Sequence, residues 1–151
     1  MISTLALGLG MFMLSLCILA IPTAVLIAMI TGKYASQITH PSFLANLAVM
    51  QITGLLVAMA HLANIGLWAA LLRVCGEFKS YEAAYYHSAV NYSSLGYGDM
   101  VMSPRWRLLG PLETLDGIVI VGISTALMFA LMARLFERRL KAKEQKNEPV
   151  A

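Results

Sequence analysis

The sequence predicts an all-α membrane protein: three transmembrane helices, with a short fourth helix entering the membrane and returning between the second and third. Two observations carry this. Only 13% of the residues are charged against 59% hydrophobic, whereas soluble domains carry roughly a quarter charged residues. The few charges are also unevenly placed. No Asp, Glu, Lys or Arg precedes Lys33, and none lies between Lys33 and Arg73. A spanning helix needs about 20 consecutive, largely apolar residues, and each of these stretches supplies them.

The first span is expected over Leu5 to Ile30. It contains Pro22, whose freed backbone group neighbouring helices can satisfy. This run lacks a basic n-region and exceeds the usual length of a signal-peptide core, so a permanent helix is expected. Thr31-Gly32-Lys33 closes it, and a polar connection from Tyr34 to Ser42, with His40-Pro41, leads on. The second span is expected from Phe43 to Leu72, with Arg73, Glu77 and Lys79 marking its exit into water. The third runs from near Leu108 to Arg134, and the short charged tail behind it is expected to be a fraying helical extension. Behind it Arg134, Arg138, Arg139, Lys141, Lys143 and Lys146 crowd into the last eighteen residues. A basic tail directly after a membrane helix reads as a cytoplasmic anchor under the positive-inside rule, with contact to anionic lipids as a sharper possibility, and not as a nucleic-acid site. The expected division is 1–42 (first helix and connection), 43–135 (central unit) and 136–151 (tail). Cys17 falls inside the first span and Cys75 in a polar loop, at different depths. That disfavours an intrachain disulfide and leaves only a bridge between subunits through Cys75 open. No Cys/His cluster suggests a structural metal.

Between the second and third spans, Tyr81 to Ser93 is too short and too polar to cross a bilayer, yet apolar enough to be buried. Glu82 suits the first turn of a helix. Irregular backbone at membrane depth is tolerated only where protein buries it or it lines an aqueous cavity. The residues that follow are therefore informative: Ser94-Leu95-Gly96-Tyr97-Gly98-Asp99. For successive carbonyls to face one side, the backbone must alternate between right- and left-handed conformations. The left-handed one costs an L-residue about 1–2 kcal/mol and glycine nothing comparable. Gly96 and Gly98 stand at alternate positions.

Here the sequence resembles the potassium channel superfamily, in particular small bacterial-type channels with one pore domain per chain. Their filter signature is T-V-G-Y-G or T-I-G-Y-G followed by Asp. Gly-Tyr-Gly-Asp matches outright, with Ser94 in place of Thr and Leu95 in place of Val or Ile. The likeness extends from about Tyr81 to Leu135. It implies a re-entrant pore helix, a selectivity-filter loop, a Trp shortly after (Trp106), an inner helix and four-fold assembly. By this resemblance the carbonyls of Ser94, Leu95, Gly96 and Tyr97 would form stacked K+ rings in a homotetramer, the Ser94 hydroxyl adding the innermost ligand. Tyr97 would point away from the pore into the surrounding helices. Permeant K+ would be the only ion, without cofactor or catalysis. The filter would open outward, the tail would lie in the cytoplasm and the N-terminus outside, in a plasma membrane such as the bacterial inner membrane.

Many relatives place a Glu in the pore helix against the filter Asp; the corresponding residue here is Val90. Tyr86 and His87 are the candidates to hold Asp99, or else simply packing residues. No Arg recurs at every third position, so no voltage sensor is expected. Gly117 and Gly122 in the third span read equally as hinge or as close-packing glycines. Met128, Phe129 and Met132 could line an inner constriction or face lipid. Glu113 and Asp116 share a helix face; with Asn64, Trp68 or a pore-helix hydroxyl as partner they would brace the filter from behind, with His61 a possible addition. The rival readings are a non-conducting accessory subunit, one module of a potassium transporter (which needs four filter repeats), and a membrane enzyme using His61, Glu113 and Asp116.

Overall fold

A computed structural model describes residues 1–31 and 43–147. The described residues contain four helices: α1 (Ile2–Thr31), α2 (Phe43–Val74), α3 (Tyr81–Tyr92) and α4 (Leu109–Asn147). Three are long and apolar enough to cross a membrane, over Ile2–Ala28, Leu44–Val74 and Leu109–Leu140. The expected connection Tyr34–Ser42, with His40-Pro41, lies outside the described residues, as do the side chains of Lys141, Lys143 and Lys146.

None of the three spans is amphipathic in the ordinary sense, because lipid and protein neighbours are equally apolar. Burial shows their order instead. In α1 the buried positions are Thr4, Gly8, Met11, Ser15, Leu19, Pro22 and Leu26, which follow one another at steps of four or three. In α2 the same steps run through Val49, Thr53, Val57, Ala60, Asn64, Trp68 and Leu72. Steps mostly of four with an occasional three keep these positions on one face of a helix with 3.6 residues per turn, so each set forms one continuous buried seam. Small and polar residues mark the seams, while Leu9, Met13, Leu55 and Leu62 face outward.

The helices cross back and forth. One apolar cluster, with Met11, Trp68, Leu72, Phe78, Ala84 and Leu109, closes the end where α3 lies. A second, formed by Leu26, Val49, Leu131 and Leu135, closes the opposite end. Pro22 is buried within an uninterrupted α1. The fourth helix continues past Arg134 to Asn147, in line with the helical extension expected there, and its apolar stretch reaches Leu140. Leu, Glu, Arg and Lys are all good helix formers, and long basic side chains can extend their charge to the interface while the helix goes on. Charge marked the polar end of the span but not the end of the helix.

Candidate functional site: the strip after the short helix

Helix α3 starts at a well-formed cap. The Ser80 side chain accepts from the Ala83 N–H at 3.1 Å, satisfying one of the orphan donors of the first turn, and Glu82 follows in that turn. The helix packs against α2 and α4. Its C-terminal turn determines where the next residues go. The Ser94 N–H donates to the Asn91 carbonyl at 2.9 Å, and the Leu95 N–H to the Val90 carbonyl at 3.0 Å.

From there the backbone alternates. Gly96 and Gly98 adopt φ of 59° and 72°, as expected from their positions, and Ser94 joins them at 61°. Left-handed residues therefore stand at 94, 96 and 98, with Leu95 and Tyr97 between them on the ordinary side. Ser94 is the one non-glycine residue with positive φ among the described residues. Such strain, of order 1–3 kcal/mol, persists where the surrounding structure over-determines it, and it clusters at functional sites. Ser93 through Asp99 are all exposed in the single chain, with Leu95 at 57% and Tyr97 at 66%. Along the strip runs an open groove of about 780 Å3, lined by His87, Asn91, Gly96, Gly98 and Thr114 among others.

Asp99 is held by Tyr86, whose hydroxyl donates to Asp99 Oδ2 at 2.8 Å. That hydrogen bond raises the Tyr86 phenol above its ordinary value. His87 instead meets Asn91, with 2.9 Å between His87 Nε2 and Asn91 Nδ2, and lies against Phe78. Of the two residues considered for Asp99, the geometry brings Tyr86 to it.

Behind the strip, α4 presents a run of buried polar residues. Asp116 Oδ2 accepts two short hydrogen bonds, from Trp68 Nε1 on α2 and Ser15 Oγ on α1, each 2.6 Å. Glu113 Oε2 accepts from Asn91 Nδ2 at 3.3 Å, and Thr114 Oγ1 donates to the Asn91 carbonyl at 3.0 Å. Trp68, Asn64 and Glu113 are fully buried and Asp116 is 2% exposed, so both acids are turned into the protein rather than toward its surroundings.

Partners differ from expectation in three places. Asn64 makes no hydrogen bond with either acid, although Asp116 Oδ1 and Glu113 Oε1 are buried without a partner among the described residues. His61 joins neither acid: its Nδ1 lies 3.0 Å from the Tyr92 hydroxyl, since Tyr92 at the end of α3 intervenes. Trp106 packs against the cluster around Trp68 and Leu72, with the Arg105 guanidinium 5.1 Å from its ring centroid. It makes no hydrogen bond to the strip among the described residues, so the support it gives is to the loop's packing. Met128 faces α2 near Gly54, whereas Phe129 and Met132 are exposed in the single chain. Both cysteines are free, and burial pushes the Cys75 thiol up, favouring the protonated form.

Gly117 and Gly122 separate. A Cβ on Gly117 would fall on the Tyr92 carbonyl oxygen, while one on Gly122 would meet nothing. Gly117 is thus a close-approach glycine that lets α4 touch the end of α3. Gly117→Ala is expected to destabilise the protein by about 1–3 kcal/mol through overpacking against backbone. Gly122→Ala should stabilise α4 by about 0.5–1 kcal/mol. Thermal unfolding in detergent compares the two; equal behaviour would contradict the packing assignment.

The residues not anticipated from sequence are Ser15, Asn91 and Thr114. Ser15 had one available signal: it is a polar residue in the middle of an otherwise apolar span. Asn91 and Thr114 had none, since their pairing depends on how α3 meets α4.

A short helix and a left–right alternating backbone strip are thus inserted between two helices long and apolar enough to cross a membrane. Residues 54–134 match the family described as ion channel, more than half of the chain, which thus belongs to that ion channel family. The match takes in most of α2, all of α3, the strip and most of the α4 span. No solved structure matches the chain. Ion channels are not a class of enzymes, and the residues considered for a membrane enzyme hold helices together here.

Proposed function

We propose that the protein is a subunit of a potassium-selective channel that conducts K+ passively through a four-fold pore, with Ser94, Leu95, Gly96, Tyr97 and Gly98 as its filter. The observation that carries this reading is the alternation of φ at Ser94, Gly96 and Gly98. A backbone that alternates in this way can turn successive carbonyls toward one side, and stacked carbonyl rings are what replaces the hydration shell of a permeating K+. One strip cannot encircle an ion, and cyclic symmetry closes the ring. The exposed apolar side chains of Leu95 and Tyr97 need a surface to cover them, and neighbouring copies would supply it.

On this reading Asp99, held by Tyr86, fixes the outer end of the filter, and α4 backs it through Glu113 and Asp116. The homotetramer sits in a plasma membrane with the filter opening outward and the C-terminus cytoplasmic. The N-terminus lies outside, and the basic residues from Arg134 onward rest at anionic lipid. No cofactor is needed beyond the permeant ion.

Purified protein in liposomes should pass K+ faster than Na+, and detergent-solubilised protein should have the native mass of a tetramer. Equal K+ and Na+ fluxes would defeat the selectivity. Tetramers without flux would favour a non-conducting accessory subunit, and a clean monomer or dimer would defeat the ring.

A further inference from the structure

We infer that α1 is a working wall of the conduction unit, and that Ser15 is a positioning residue whose hydroxyl, on the Asp116 carboxylate, sets where α4 stands behind the filter strip. The inference rests on the channel reading above and extends it to a helix outside residues 54–134, the stretch that matches the family.

Between helices in lipid the hydrophobic effect supplies no net pull, so packing and interhelical hydrogen bonds determine register. Helix α1 meets α2 and α4 along its seam, and most of that seam is apolar or small. Among the described residues, Ser15 makes the one side-chain hydrogen bond from α1 to another helix. Thr23, the other α1 hydroxyl with a bond, turns back to the Leu19 carbonyl. Ser15 is fully buried, and its 2.6 Å contact to Asp116 Oδ2 is a short hydrogen bond. Trp68 Nε1 shares that oxygen. Three helices therefore converge on a single atom.

That atom lies on the stretch of α4 that touches α3. Glu113 and Thr114 both bind Asn91. The Asn91 carbonyl also takes the Ser94 N–H, and Gly117 abuts Tyr92. Rotation of α4 about its axis would thus reach Ser94 through one intervening residue. The Asp116 junction opposes that rotation from the adjoining side of the helix, with one donor on α2 and one on α1. Without the Ser15 hydroxyl, α1 would retain only packing, and Asp116 would be held from α2 alone.

The test compares full-length wild type, Ser15→Ala, Ser15→Thr and Cys17→Ser in liposomes, measuring K+ and Na+ flux, with native mass in detergent as the control for assembly. Cys17 is exposed on the far side of the same helix and should leave flux unchanged. Ser15→Ala is expected to lower the K+/Na+ flux ratio about fivefold, within the range for coupling residues, with assembly intact. Ser15→Thr, which keeps the hydroxyl, should restore the ratio. An Ser15→Ala protein that assembles and keeps the wild-type ratio overturns the inference, as does a Ser15→Thr protein no better than Ser15→Ala. Should Ser15→Ala fail to assemble, Ser15→Cys replaces it: an intermediate ratio supports the inference and a wild-type ratio overturns it. A wild type that passes K+ and Na+ equally defeats the potassium reading alone. The positioning role is then read from total cation flux of Ser15→Ala against wild type, a fall supporting it and no change overturning it. A wild type that passes neither ion overturns both.

Discussion

Gly98→Ala should abolish the preference for K+ over Na+ while leaving insertion, folding and assembly intact. Gly98 has φ of 72°, and a Cβ there would touch nothing within the chain. The penalty is therefore conformational: about 1–2 kcal/mol for an L-residue in the left-handed region. That is small against the stability of a domain. Repeated four times around a pore axis, it becomes about 4–8 kcal/mol concentrated in one ring. The backbone relieves it by rotating toward negative φ, which turns a carbonyl off the axis. Liposome flux with K+ and with Na+ measures the outcome. A Gly98→Ala channel as selective as wild type would remove the strip from the filter role. Ser94 supplies an internal comparison, since it bears the same conformational penalty at φ of 61°. Its hydrogen bond to the Asn91 carbonyl holds it there, and Gly98 has no such backbone bond among the described residues.

The second large effect is expected at Asp116. Asp116→Ala removes the acceptor of two fully buried donors, the Ser15 hydroxyl and the Trp68 indole. Each buried donor left without a partner costs about 1–3 kcal/mol, so the loss should reach about 2–6 kcal/mol per subunit when both are stranded. The fold should lose thermal stability by many degrees, and any flux that survives should be less selective. Asp116→Asn separates the causes. Asn keeps a carbonyl oxygen that can accept both donors but loses the charge that makes those bonds strong, so an intermediate loss is expected. Thermal unfolding followed by Trp fluorescence, together with the flux ratio, checks both variants. Asp116→Ala unchanged in both readouts would show that the three-helix junction carries no weight.

Composition and charge placement by themselves determined the class of this protein. Two charge-free stretches and a third closed by a basic cluster left no alternative to three membrane-length helices, because a charge in hydrocarbon is expensive and its absence over twenty residues is not accidental. The strip was legible for a related reason. Only glycine enters the left-handed region freely, so Gly96 and Gly98 at alternate positions disclosed the backbone they would adopt. The pairing of Asp99 with Tyr86 could be narrowed to two residues one apart, and the choice between them required coordinates. Beyond the hydroxyl of Ser15, the sequence of α1 carried no sign of which side packs. A helix otherwise apolar on every face has no amphipathic moment, so nothing else local says which side meets protein. Only the packed bundle shows that Thr4, Gly8, Met11 and Ser15 form the seam. The same holds for Gly117, whose contact with the Tyr92 carbonyl joins residues on two helices through a backbone atom that no side-chain pattern encodes. Sequence specifies which groups cannot face lipid. Which partner each of them finds is decided by the tertiary structure, because hydrogen bonds depend on distances of a few tenths of an ångström between residues up to 101 positions apart.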